Sequence, residues 1–284
     1  MDGRAVAPAA GTVLNALANG LGSAFALDFD VEASVTLGAS GGDVTGDVAG
    51  HPDADTALVE RCVALTTDRY GDGEGGRVET DSEIPLASGL KSSSAAANAT
   101  VLATLDALGR ADDVARVDAA RLGVQAARDV GVTVTGAFDD ATASMLGGLT
   151  LTDNREDELV FRDEVDWDAV VWTPPEQSFS ADADVARCER VAPIADHVAA
   201  LAERGDYGTA MTLNGFAFCA ALDHPADPIV DALPNADGAS LSGTGPSYVA
   251  VGGADALTEV HEQWKTHPGT VRLTTTQTTG ARTT

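Results

Sequence analysis

Residues 84–109, IPLASGLKSSSAAANATVLATLDALG, change character in the middle. As far as Lys91 the stretch has loop chemistry, with Pro85 and Gly89 close together. From Ser92 onward it is rich in helix formers, with Val101, Leu102, Leu105 and Leu108 at helical spacing and Gly109 as a terminator. The spacing predicts a helix that begins at Ser92 directly after the loop. A helix N-terminus presents unpaired backbone N–H groups and about half a positive charge, which together make an anion site. Gly89 lets the backbone approach a ligand, and Ser92, Ser93 and Ser94 add hydroxyls. Lys91 adds a full charge. A serine-capped helix after a Pro–Gly turn reads the same way, so the loop alone does not define a function. It is not a Walker A loop, which needs Gly directly before the Lys; here Leu90 intervenes.

Working outward, residues 31–37 alternate like a half-buried strand and 38–50 form a Gly/Asp-rich loop. A helix is expected over 57–70, a strand over 78–82, and a second helix over 112–129, capped by Asp112 or Asp113. GVTVTG (131–136) and MLGGLTLTD (145–153) read as strands. An acid-dense stretch at 153–168 marks a domain boundary, dividing the chain into 1–153 and 154–284. Beyond it, AVVWTPP is strand-like, 182–204 and 207–222 are helical, and SYVAVGG and TVRLTTT close the pattern as strands. Such an order suggests a sheet covered by helices on one face, within an α+β architecture.

Composition narrows the class. Hydrophobic residues make up 44% of the 284 and aromatics only 5%, so the core must be built from Ala, Val and Leu. Acids outnumber bases 44 to 17, for a net charge of −27, and only Lys91 and Lys265 among the bases are lysines. Scarce lysine and acids spread along the whole chain point to a high-salt interior, where counterions screen self-repulsion. A surface of this sign argues against nucleic acid as a partner. Cys62, Cys188 and Cys219 are odd in number and widely spaced, which argues against a disulfide framework or a zinc site. The five histidines show no ligand spacing. With no signal-like N-terminus and no apolar run of about 18 residues, a soluble cytoplasmic protein is expected, with no membrane partner.

Between Gly131 and Leu151 the only charged residues are Asp139 and Asp140. Carboxylates inside an apolar stretch are costly without partners, so such a pair reads as a base, a metal site or a cap for a helix beginning at Ala141.

Pro85, Gly89, Leu90, Ser92, Ser93 and Ala95 together resemble the second motif of the GHMP kinases, P-x3-G-L-x-S-S-x-A. APAAGTVLNALANGLGSAFALD (7–28) is similar to the first motif of that superfamily, and LSGTGPSYVAV (241–251) to its third. All three stand in the family's order. Lys91 occupies a position where most of the family has Gly, and GLKSSSAAANA looks like the archaeal shikimate kinase version of the loop. The first motif lacks the Lys of mevalonate-kinase-like members, while SGTGPS also resembles the homoserine kinase version. The resemblance implies the α+β GHMP fold, with an N-terminal nucleotide-binding domain and a ferredoxin-like C-terminal domain. It implies ATP and Mg²⁺ as cofactors and shikimate as the small-molecule substrate. Homoserine kinase and a GHMP-fold sensor that binds without transferring remain the alternatives. Nucleotide would be held by Pro85, Leu86, Ala87, Ser88, Gly89, Leu90, Lys91, Ser92, Ser93, Ser94 and Ala95, and Mg²⁺ by Ser93 and Asp129. Counting back seven from Gly147 places the family's catalytic Asp at Asp140, assisted by Lys91, with Asp139 as the alternative base. The substrate carboxylate would fall to an arginine, with Arg4, Arg155, Arg187 and Arg190 as candidates. A homo-oligomer is compatible with the reading.

The charge balance generates a test. Lowering salt from 1 M to 0.1 M lengthens electrostatic screening from about 3 Å to about 10 Å, so repulsions confined to neighbours begin to sum over the molecule. The melting temperature should fall as KCl is reduced over that range, and Mg-ATP should delay the loss by binding the folded state. A melting temperature unaffected by KCl would show that the acidic surface is no adaptation to salt.

Overall fold

The computed structural model describes residues 1–84, 88–175 and 183–284. Its first sheet is built on two long strands, β1 (Asp2–Leu14) and β2 (Leu21–Ser40). The second half of β2 pairs antiparallel with β4 (Glu74–Ser82), which pairs in parallel with β3 (Val44–Val48). The first half of β2 pairs instead with β5 (Leu149–Asp153), and β5 with β6 (Glu158–Asp163). Four helices accompany this sheet: α1 (Ala57–Tyr70), α2 (Ser92–Ala107), α3 (Arg116–Asp129) and α4 (Phe138–Leu146). Helix α2 is buried from Ala95 to Ala107 except at Ala96 and Asp106, and packs on β1, β2, α1, α3 and α4. Its run of alanines explains how so many elements approach it closely. It is apolar all round because it is the centre of the domain.

The second sheet has the order β10-β7-β9-β8, all antiparallel, from β7 (Asp168–Thr173), β8 (Gly238–Leu241), β9 (Tyr248–Gly252) and β10 (Thr270–Thr275). Helices α5 (Val185–Glu189), α6 (Ala192–Ala202), α7 (Tyr207–Leu222) and α8 (Asp227–Ala232) follow β7, and α9 (Ala254–Trp264) follows β9. With α7 against β8 and α9 against β7 and β9, this is a ferredoxin-like βαββαβ unit. Trp167 joins the halves, edge-on to Phe25 of β2 and to Tyr207 of α7. The last residues return to the first sheet, where β11 (Arg282–Thr283) pairs with β1. The expected boundary at 153/154 falls in the turn of the β5–β6 hairpin, both of whose strands lie in the first sheet. No helix among the described residues is long and apolar enough to cross a membrane.

Several local expectations are corrected. Residues 131–136 form no strand: Gly131 and Gly136 take positive φ, and Arg128 Nη2 donates to the Thr135 carbonyl, holding the segment as a loop. Helix α3 begins at Arg116 after a turn, and Asp113 pairs with Arg110 rather than capping it. The helix expected over 182–204 is two helices broken before Pro193, and its first residue lies outside the described residues. Helix α4 begins at Phe138, not Ala141, so Asp139 and Asp140 are in its first turn and neither side chain caps it.

Strand β1 and helix α2 lie in close contact. A Cβ at Gly3 would lie 2.1 Å from the Ala103 carbonyl oxygen and 2.4 Å from the Ala107 nitrogen. Gly3→Ala should therefore cost about 1–3 kcal/mol by overpacking. Denaturant unfolding in molar KCl measures it, and an unchanged midpoint would show that α2 does not sit on β1 this tightly.

Candidate active site

The N-termini of α2 and α4 open onto a cavity of about 620 Å³. Its other walls are the turn after β1, the stretch from Val48 to Leu58 that leads into α1, the α3 residues Gly123, Val124 and Ala127, the 131–137 loop and the Gly243–Thr244 turn. Both helices are entered through a left-handed residue, Lys91 at φ 64° and Ala137 at φ 53°. That conformation disfavours any side chain by about 1–2 kcal/mol, so it marks positions that the surroundings hold in place.

The loop before α2 rests on the turn after β8. Ser242 Oγ donates to the Gly89 carbonyl at 2.8 Å, and the Ser247 amide donates to the Ser88 carbonyl. Gly89 is at φ +81°, and a Cβ there would lie 2.6 Å from the carbonyl oxygens of Ser242 and Gly245. The first motif reaches the same turn. Asn15 Nδ2 donates to the Gly243 carbonyl, and the Gly243 amide donates to Thr12 Oγ1, each at 2.8 Å. Asn214 Oδ1 from α7 accepts the Asn15 amide. Three stretches far apart in sequence thus meet as one floor, above which Ser92, Ser93 and Ser94 stand at the positive end of α2.

Lys91 Nζ donates to Asp140 Oδ1 at 2.7 Å, with only 9% and 12% of the two side chains exposed. Burial pushes the Asp140 carboxyl up, the neighbouring Asp139 pushes it further, and Lys91 opposes both, leaving it at about 7. Asp139, also buried, receives Asn154 Nδ2 on Oδ1 at 2.7 Å, and its amide donates to Asn154 Oδ1. Each carboxylate is thereby anchored through one oxygen. A buried carboxylate near neutrality beside an anion-binding helix end can accept a proton from a hydroxyl brought next to a polyanion.

The structure brings together Gly89, Lys91, Ser92, Ser93, Ser94, Asp139 and Asp140 on the cavity. Ser88, Leu90 and Ala95 are buried beneath it, while Pro85, Leu86 and Ala87 lie outside the described residues. Asp129 is not brought there: its carboxylate is ion-paired at 2.6 Å with Arg61. None of Arg4, Arg155, Arg187 and Arg190 lines the cavity; Arg155 pairs with Asp153, and Arg187 donates to the Ala220 carbonyl. Among the described residues that line the cavity, Lys91 is the only Lys or Arg.

Sequence reasoning missed Asn154 and Asn214, which act through contacts with residues far away in the chain. It also passed over Asn98, whose Nδ2 donates to the Ala141 carbonyl and ties α2 to α4. A lone Asn in a run of alanines was its only signal.

The chain is similar to several known proteins. Residues 57–148 match the GHMP kinases N terminal domain. The chain is 74% identical to a shikimate kinase of Halobacterium salinarum over 284 residues, all of both chains. It is 48% identical to a shikimate kinase of Methanosarcina mazei, over 93% of this chain and 90% of that one. In fold it is similar to a homoserine kinase from Cytophaga hutchinsonii (TM-score 0.78, 20% identity, 100% and 97% covered). It is similar too to the mevalonate kinase of Methanococcus jannaschii (TM-score 0.77, 13% identity, 97% and 98% covered).

Removing the cation tests the pair. In Lys91→Met the Asp140 carboxyl loses the one influence that lowers it, so its titration midpoint should move up from about 7. Carbon-13 NMR of labelled aspartate follows this directly. A midpoint equal to that of the unaltered protein would show that the pair does not form in solution.

Proposed function

The chain belongs to the GHMP kinases, and on that premise we propose that it transfers the terminal phosphoryl group of ATP to shikimate, giving ADP and shikimate 3-phosphate. The acceptor is supported by the full-length identity with the Halobacterium salinarum shikimate kinase. One structural observation carries the chemistry. Asp140 has one oxygen fixed by Lys91, has no hydrogen bond to the other among the described residues, and lines the same cavity as the N-terminus of α2.

In this reading the backbone N–H groups at the start of α2, with Lys91, hold the phosphates of ATP. The 3-hydroxyl of shikimate lies against Asp140. As its oxygen forms the new bond to the γ-phosphorus, the bond from that phosphorus to the bridging oxygen of ADP breaks. The hydroxyl proton passes to Asp140. Lys91 keeps Asp140 in place and offsets negative charge gathering on the phosphoryl oxygens.

The donor set suits Mg²⁺, a hard cation that keeps several waters and takes few protein ligands beside substrate phosphates. No cluster of three or more His, Cys, Asp or Glu stands ready for a metal among the described residues. Ser93, exposed on the cavity in the first turn of α2, is the residue that would hold it. The ion, when bound, supplies charge neutralisation at the phosphates.

The sign of the pH dependence follows from Asp140. Its basic form grows as pH rises through about 7, so kcat/KM should climb through that value and level off above it. Asp140→Asn should still bind ATP but lose about 10²-fold or more in kcat. The deciding experiment is an ADP-release assay in molar KCl with shikimate, homoserine and mevalonate in turn. Shikimate alone should be turned over; turnover of either other alcohol with shikimate untouched overturns the proposal.

A further inference from the structure

Asp140 has a neighbour that the transfer step does not use. Asp139 is 4% exposed and lines the cavity, yet no cation within the described residues pairs with it. Its Oδ1 accepts from the neutral amide of Asn154, while its Oδ2 takes no hydrogen bond among those residues. That oxygen is not one of the side-chain atoms sealed from solvent. The space around it is kept by Gly22, where a Cβ would come within 2.5 Å of Oδ2. A buried carboxylate oxygen without a donor is costly, and one that opens on a cavity is satisfied by a donor arriving with the ligand.

The partner's chemistry follows from position. Asp139 and Asp140 are consecutive in the first turn of α4, so their side chains leave the helix about 100° apart but at nearly the same height. Both are held through Oδ1, by Asn154 and Lys91 respectively, so both free oxygens are oriented by fixed partners. Two such acceptors on consecutive residues lining one cavity suit two neighbouring hydroxyl donors. We infer that Asp139 binds the hydroxyl next to the one phosphorylated, and so selects acceptors that carry adjacent hydroxyls. The inference rests on shikimate being the substrate: its 3-hydroxyl has one hydroxylated neighbour, at carbon 4. Homoserine has a single hydroxyl and gives Asp139 nothing of this kind. Asn154, whose side chain bonds both the carboxylate and the amide of Asp139, is the positioning residue behind this contact.

The test compares shikimate with 4-deoxyshikimate, which keeps the reacting hydroxyl and lacks its neighbour. The unaltered enzyme should prefer shikimate by about 10²-fold in kcat/KM, the scale of a lost hydrogen bond to a charged group. In Asp139→Ala the preference should collapse to within about threefold. The ratio of the two substrates at one pH is the readout, because removing Asp139 also takes away an influence that raises the Asp140 carboxyl and so changes the rate on both. A preference that survives intact in Asp139→Ala, or an equal loss on both compounds, overturns the inference. Asp139→Asn serves if the alanine variant fails to fold: the preference should fall at least about tenfold, and an unchanged ratio overturns the inference equally. An unaltered enzyme that ignores shikimate altogether fails the proposed function first, and this inference falls with it; the two failures are told apart by that control.

Discussion

A lysine and an aspartate removed from water need each other, and most of the site is arranged so that Lys91 and Asp140 can meet. Desolvation of an ion pair can outweigh its attraction unless the geometry is good and other partners are near. The geometry comes from two helix N-termini, α2 and α4, brought together by the Asn98 side chain bonding the Ala141 carbonyl. Lys91 reaches Asp140 from a left-handed backbone, the conformation that glycine adopts without cost and that the family's motif commonly fills with glycine. A side chain kept at a position better suited to glycine points to a function for its charge. The rest of the floor follows from this: Gly89 must lie against the 242–245 turn, and Asn15 and Thr12 must hold that turn, or Lys91 would have no fixed base.

The same pair bears on how so acidic a chain admits a polyanion. With a net charge of −27, the long-range field opposes a phosphate-bearing ligand. Attraction has to be local, from the N-terminal N–H groups of α2 and from Lys91, the only Lys or Arg among the described residues on the cavity wall. Local dipoles and a buried charge act within a few ångströms, whereas salt at about 1 M screens charges beyond about 3 Å. High salt therefore suppresses the repulsion while leaving the attraction nearly intact. On the reading of the acidic surface as an adaptation to salt, salt would serve ligand entry as well as stability.

How much of this was legible in the sequence depended on range. The start of α2 and helix α1 are local features, carried by Ser and helical spacing, and the structure has them where they were read. The three family motifs gave the fold, but not the reason they cooperate, since the Asn15–Gly243 and Ser242–Gly89 bonds join positions more than 150 residues apart. Strands β1 and β2 went largely unseen because small residues such as Ala9, Ala10 and Gly11 give no alternation to detect. Residues 131–136 failed in the opposite way: Val and Thr alternate as in a strand, yet two glycines and the Arg128 bond hold them as a loop. Asp129 stood at a plausible spacing, but its charge is taken by Arg61, a partner no local pattern discloses.

Asp139 and Asp140 are identical side chains adjacent in sequence, yet they meet different partners. A lysine holds Asp140 and partly cancels the influences that raise its carboxyl, so it settles at about 7 instead of higher. An amide holds Asp139, which orients a carboxylate without neutralising it. The charge left on Asp139 is then felt by Asp140 and helps push it up. Exchanging the two partners would give Asp139 the cation and take from Asp140 the influence that lowers its carboxyl. The assignment of roles is therefore written not in the pair itself but in Lys91, 49 residues upstream of Asp140, and Asn154, 15 residues downstream of Asp139.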